Sequence, residues 1–328
     1  MKAMTTSRLS AAVVAAALLL VCPVLAGQSS LSGPVLGYVL SAPEQQLRPL
    51  RGILGSATVG DPVELGFPIA DALTMDMRHF VASSEANPEL LVLNMETSPA
   101  SVAPISGARP RPSYAAASVR GTSAAFYYAD SKGIVIVTGF PRKPVVSSSV
   151  DLSSSGPLTR MAVSDDGGLL VYSVAEGGRE GVFSWTASSA SSRFVSAANA
   201  VGGIAITANG AAIVTDRDAN EVFAVWDAGE GSFPQYLAAS ADGVSQPADV
   251  AVSASNRIYV ANLGSANIMA LDSGGRLLGA HACNCELSGL FPLRDSVFRL
   301  TKRLDQTVYL LDAGPTRDRI LFVPPFTR

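Results

Sequence analysis

From about residue 112 onward, short apolar runs alternate with turns built on Asp, Asn and Gly. Three stretches superimpose: "PLTRMAVSDDGGLLVYSVAEGGREGVFSWT" from Pro157, "VGGIAITANGAAIVTDRDANEVFAVWD" from Val201 and "PADVAVSASNRIYVANLGSANIMALD" from Pro247. Each predicts strand, tight turn, strand, polar loop, strand. The turns Asp165-Asp166-Gly167, Ala208-Asn209-Gly210 and Ser255-Asn256 hold residues that accept positive φ, which a tight hairpin demands.

Marking the apolar residue before each turn extends the series to Met75, Val119, Val163, Ile206, Val252 and Leu300, spaced 43 to 48 residues apart. A weaker fourth strand is expected in each unit, around 101–105, 143–147, 193–196, 235–238 and 276–280. Four strands recurring at this period predict an all-β chain folded as a single β-propeller, six repeats giving six blades of four antiparallel strands. A β-sandwich would explain the strand spacing but not the fixed four-strand unit. Residues 36–52 read as a third and fourth strand, and the last unit offers a first and second at 297–301 and 308–312. The two termini are therefore expected to share the closing blade. Residues 319–323 read as a further strand, one more than six blades need. That leaves seven blades open, with the missing strands in 53–69.

The repeat also carries a family resemblance. Pro247, Val250-Ala251-Val252, Asn256, "IYVAN" at 258–262, Asn267-Ile268 and Leu271-Asp272 resemble the NHL-type repeat and the YncE-like secreted propellers. In that pattern a proline leads an apolar strand, a turn and an "IYVAD" strand follow, and an apolar-Asp pair ends the unit. The match is clear over 201–272, weaker over 157–200 and 293–323, and poor before 112. Asn262 and Asp216 depart from the context of the family's aspartate. The resemblance implies a fold, since these are structural positions, and implies no particular activity.

The N-terminus changes the compartment. Lys2 and Arg8 precede the apolar run Ala11–Leu20, and Val24-Leu25-Ala26 ends in small residues, so residues 1–26 predict a secretory signal and 27–328 the propeller. The run is shorter than the roughly 18 apolar residues of a membrane span, so no transmembrane span is expected after cleavage. The chain is expected to be exported, to periplasm or medium. Its charge is sparse, 16% of residues with a net −3, and cleavage removes two basic residues and no acidic one. No basic block or stripe appears, which excludes a nucleic-acid footprint.

Chemistry has few candidates. G-x-S-x-G, H-E-x-x-H and phosphate-loop motifs are absent, so the sequence names no catalytic residue and no cofactor. Strand order gathers the loops between second and third strands, and between blades, on one face. Those loops are long and charged, and from them and the axis come the candidate binding residues Arg160, Arg179, Asp216, Arg217, Asp218, Asp249 and Arg317. Propeller hydrolases and lactonases hold a metal in the central channel, yet the aligned axial positions read Ala72, Ala116, Arg160, Gly203, Asp249 and Val297. One carboxylate cannot supply the six to eight oxygens of a hard cation. Arg160 and Asp249 are candidates to pair across the channel mouth. The composite expectation is a non-enzymatic binding scaffold for a protein, peptide or glycan; the competing one is a propeller lactonase or hydrolase acting at the channel.

Three cysteines occur, of which Cys283 and Cys285 would survive signal removal. An oxidising compartment favours a disulfide between them, although two residues of separation close a strained ring of eleven atoms. His281, Cys283 and Cys285, with Glu286, form a weaker zinc set at spacings shorter than the usual ones.

Overall fold

A computed structural model describes residues 33–228, 233–294, 296–301, 307–314 and 317–325. The signal predicted over 1–26 lies outside them. Residues Pro34–Arg328 form one compact unit, and its described part contains seven antiparallel sheets in sequence order. Six have four strands. The first, Val35–Ser41, Gln46–Ile53 and Ser56–Val59, has three. The protein is an all-β propeller of seven blades.

Packing explains the count. Each blade presents β-branched and aromatic side chains on both faces, and a strand face so patterned must be covered. Seven buried clusters result, one at each seam between neighbouring blades. At the third seam, Ile134 and Ile136 of blade 3 meet Met161, Tyr172 and Trp185 of blade 4. At the closing seam, Leu36, Val39 and Leu50 of blade 1 meet Leu293, Val308 and Leu310 of blade 7. The ring therefore closes by face packing between two separate sheets. This corrects the expectation of a blade shared by both termini.

Two strands escaped the repeat. The first is Ser56–Val59, inside the segment from which extra strands were expected. The second is Phe291–Arg294, the innermost strand of blade 7, which is four residues long and contains a proline. It turns tightly into Val297–Arg299, with Arg294 opposite Val297. Residues 297–299 are thus a second strand, and Leu300 is not equivalent to the other markers.

The innermost strands of blades 2 to 7 begin at Asp71, Tyr114, Leu158, Val201, Pro247 and Phe291. The end of the ring where they begin is called here the loop face, and the other end the hairpin face. Blade 1 departs from this direction. The Gln45 carbonyl, in the turn after Val35–Ser41, accepts the Ile69 amide, two residues before the start of blade 2. That turn lies at the loop face, so Val35–Ser41 runs toward it while the innermost strands of the other blades run away. It has the direction of a second strand, and no described strand lies between it and the axis.

Candidate functional site

A central chamber of about 460 Å³ is lined by all seven blades. One repeated wall position is small: Ala72, Ala116, Ala162, Ala205 and Ala251 come from five successive innermost strands. Short side chains let seven sheets converge without collision, and they leave the few polar groups conspicuous.

At the loop-face end stand Tyr114, Arg160 and Asp249. Asp249 is drawn up to about 6, chiefly because burial disfavours its charge; hydrogen bonds from the backbone amides of Leu290 and Val250 and the charge of Arg160 pull the other way. Those amides lie 2.8 and 2.9 Å from its two oxygens. The seat is tight, because a Cβ at Gly203 would come 2.7 Å from Oδ1 and one at Gly289 2.9 Å from Oδ2. Tyr114 is pushed up to about 12 by burial, with Asp249 reinforcing the shift and Arg160 opposing it.

Arg160 does not reach Asp249 directly. Its Nε donates to the Gly202 carbonyl at 2.7 Å and its Nη1 to the carbonyl of Thr159 at 2.8 Å. The side chain thus ties blade 4 to blade 5, and its charge acts on Asp249 through space. A second cation, Arg299, lines the chamber on the blade 7 side, 5.2 Å over the ring of Phe291. Desolvation lowers it to about 10.

The remaining candidates separate by face. Arg179, Asp216, Arg217 and Asp218 lie together on the loop face. Arg179 donates to Asn199 Oδ1 at 3.4 Å, and the Asn199 amide donates to Asp216 at 2.7 Å. Asp216 is buried and also accepts the amides of Ala200, Asp218 and Ala219. It holds the loops in place and offers little to a ligand. Arg217 and Asp218, 3.2 Å apart, line an open cleft with Asn220, Gln246 and Leu263. That cleft crosses the boundary between blades 5 and 6.

Arg317 is not with them. Because Phe291–Arg294 is the first strand of blade 7, Gly314 and Arg317, at the end of its third strand and the start of its fourth, lie at the hairpin face. Contacts agree: Arg257, next to the hairpin turn of blade 6, reaches the Gly314 carbonyl at 3.1 Å and Asp318 at 3.2 Å. Placing Arg317 on the binding face is corrected by this topology.

Cys283 and Cys285 are joined as a disulfide, with Cα atoms 5.1 Å apart. Both sulfurs are used, so the zinc set keeps no thiolate. His281 instead faces Asp318 of blade 7 across 3.6 Å, beside the hydrogen bond from Tyr259 to the same carboxylate. No group of three or more metal-binding side chains occurs among the described residues.

Sequence reasoning passed over several polar groups of the chamber, Asp71, Tyr114 and Arg299 among them. Tyr114 holds a repeat position filled elsewhere by Leu158, Val201 and Pro247, and that contrast was visible. Arg299, one residue before the marker Leu300, stood out in the sequence against Ala162, Ala205 and Ala251 at the same place before their markers.

No protein-family model matches the chain, and no curated protein does. Solved structures resemble it at low identity. A streptogramin B lyase is 12% identical, with 85% of this chain and 90% of that one covered and a TM-score of 0.53. A Kuenenia stuttgartiensis hydrazine synthase chain is 13% identical, with 90% and 98% covered and a TM-score of 0.50. A putative 6-phosphogluconolactonase from Bacteroides uniformis is 14% identical over 74% and 81%, with a TM-score of 0.49. Identities this low speak to the propeller fold alone.

Proposed function

We propose that this chain is an exported β-propeller of the NHL or YncE-like kind that works as a binding scaffold, engaging a protein, peptide or glycan through its loop face. One observation carries the reading: Arg217 and Asp218, exposed and opposite in charge, line the cleft between blades 5 and 6, and the exposed Arg179 reaches Asn199 in the connection that Asp216 anchors. Asp216 fixes the backbone beneath them through four amides. Exposed side chains on a fixed backbone bind with less entropy lost than side chains on a loose loop.

The test is capture from periplasmic or secreted extract on the immobilised chain. R179A together with R217A should lose the captured species, and R317A on the opposite face should retain it. Equal capture by all three proteins would defeat the reading.

A second reading draws on Asp249. A carboxyl near 6 beside a tyrosine and an arginine, in a chamber, is the environment of a general acid or base. It supports a propeller lactonase or hydrolase acting at the channel. Lactone or ester turnover abolished by D249N, with folding intact, would favour this reading over the scaffold.

A further inference from the structure

The chamber is not symmetric about the axis. Blades 3 to 6 line it only with their innermost strands and the residues flanking them. On the side of blade 1 it is also lined by residues that lie behind the innermost strands: Leu47 of blade 1, Phe80 of blade 2, and Phe298 and Arg299 of blade 7. The cause lies in the topology, since no described strand stands between Val35–Ser41 and the axis. The result is a lateral bay with apolar walls.

Among the described residues that line the chamber, Arg299 is the only cation. It makes no ion pair or hydrogen bond with any described residue, and its contact is with the face of Phe291. The Arg299 side chain is half-buried and lines the chamber, so its guanidinium donors are open to an acceptor placed there. A carboxylate accepts two of them side by side, and the interaction gains strength where water is excluded. At about 460 Å³ the chamber matches the roughly 300–1,000 Å³ of small-molecule sites.

We propose that the bay beside blade 1 is a binding site for a small apolar monocarboxylate, its carboxylate on the Arg299 guanidinium and its hydrocarbon body against the alanine-lined axis. The proposal goes beyond the loop-face reading and does not depend on it. The aromatic pair Tyr38 and Phe80, with ring centroids 5.5 Å apart, closes the blade 2 side of the bay. Phe291 lies against the guanidinium, its ring centroid 5.2 Å from Cζ.

Titration calorimetry on the purified chain tests this with octanoate, octanol and octylamine, which share one hydrocarbon body. Octanoate should bind saturably with one site, and octanol and octylamine on the order of 10- to 100-fold more weakly, the value of a charge-assisted contact. R299M should lose that advantage and bind octanoate no better than octanol. R299K, which keeps the charge but not the planar fork, should fall between. R317A, at the hairpin face, should match the unaltered chain. Equal binding of octanoate and octanol, undiminished octanoate binding in R299M, or no octanoate binding at millimolar concentration would each overturn the assignment. So would tighter binding of a short apolar peptide than of octanoate, because the bay would then be a seat for an added strand. Loss of extract capture in R179A with R217A would leave this result unchanged, so the two proposals fail separately.

Discussion

Replacing Asp249 by Asn should change how stability depends on pH. The carboxyl sits near 6 in the folded chain against an ordinary 3.8. Between those values the folded state holds a proton that the unfolded state has released. Stability contributed by this group is therefore present below the unfolded value and is lost as pH rises through 6. At about 1.4 kcal/mol per unit, the whole window is worth roughly 3 kcal/mol. Urea unfolding of the chain and of D249N at pH 4 and pH 7.5 reads it. Asn leaves one acceptor for the amides of Leu290 and Val250, a loss common to both pH values that cancels in the comparison. Between pH 4 and 7.5 the unaltered chain should lose about 2–3 kcal/mol relative to D249N. Parallel pH profiles, or a change of the opposite sign, would refute the claim that burial governs this carboxyl.

Other outcomes follow from packing and covalent structure. L293A, at the seam between blades 7 and 1, should cost about 2–5 kcal/mol in urea unfolding, as a buried leucine does; a neutral result would mean that the ring does not close there. G121A should cost more than about 1 kcal/mol, because Gly121 has φ +65° and a Cβ would lie 1.8 Å from the Met75 carbonyl oxygen. D216A should cost on the order of 1–3 kcal/mol through the amides it leaves unpaired, and should raise hydrogen exchange at 199–200 and 218–219. The unreduced chain should have a mass two hydrogens below that of the free-thiol form, and alkylation before reduction should leave Cys283 and Cys285 unlabelled.

The fold was legible where the repeat repeats itself. From Val119 to Val252, turn chemistry and apolar alternation located four blades and their loop-face connections, because each unit solves the same packing problem in the same way. The ends were not legible for two physical reasons. Phe291–Arg294 is too short and too proline-broken to show a period, although its pairing with Val297–Arg299 and the closing seam hold it in place. Blade 1 has three described strands running in the sense of second to fourth, so its sequence contained no marker with which to align. One slipped strand then moved Arg317 to the wrong face.

The candidate site divides the same way. Asp249 and Arg160 stood out because repeat positions that are otherwise small held a charge. The patch of Arg179, Arg217 and Asp218 was readable from loop order alone. The raised carboxyl was not, since its cause is the closeness of Gly203 and Gly289, which come from different blades. Nor was the bay, which is a consequence of strand direction in blade 1.

The scaffold reading meets its most direct test in hydrogen exchange of the chain with and without its captured partner. The account predicts slowed exchange confined to 176–180, 215–221 and 243–247 on the loop face, with 254–257 and 314–318 unchanged. Slowing at the hairpin face, or none at the cleft between blades 5 and 6, would contradict it.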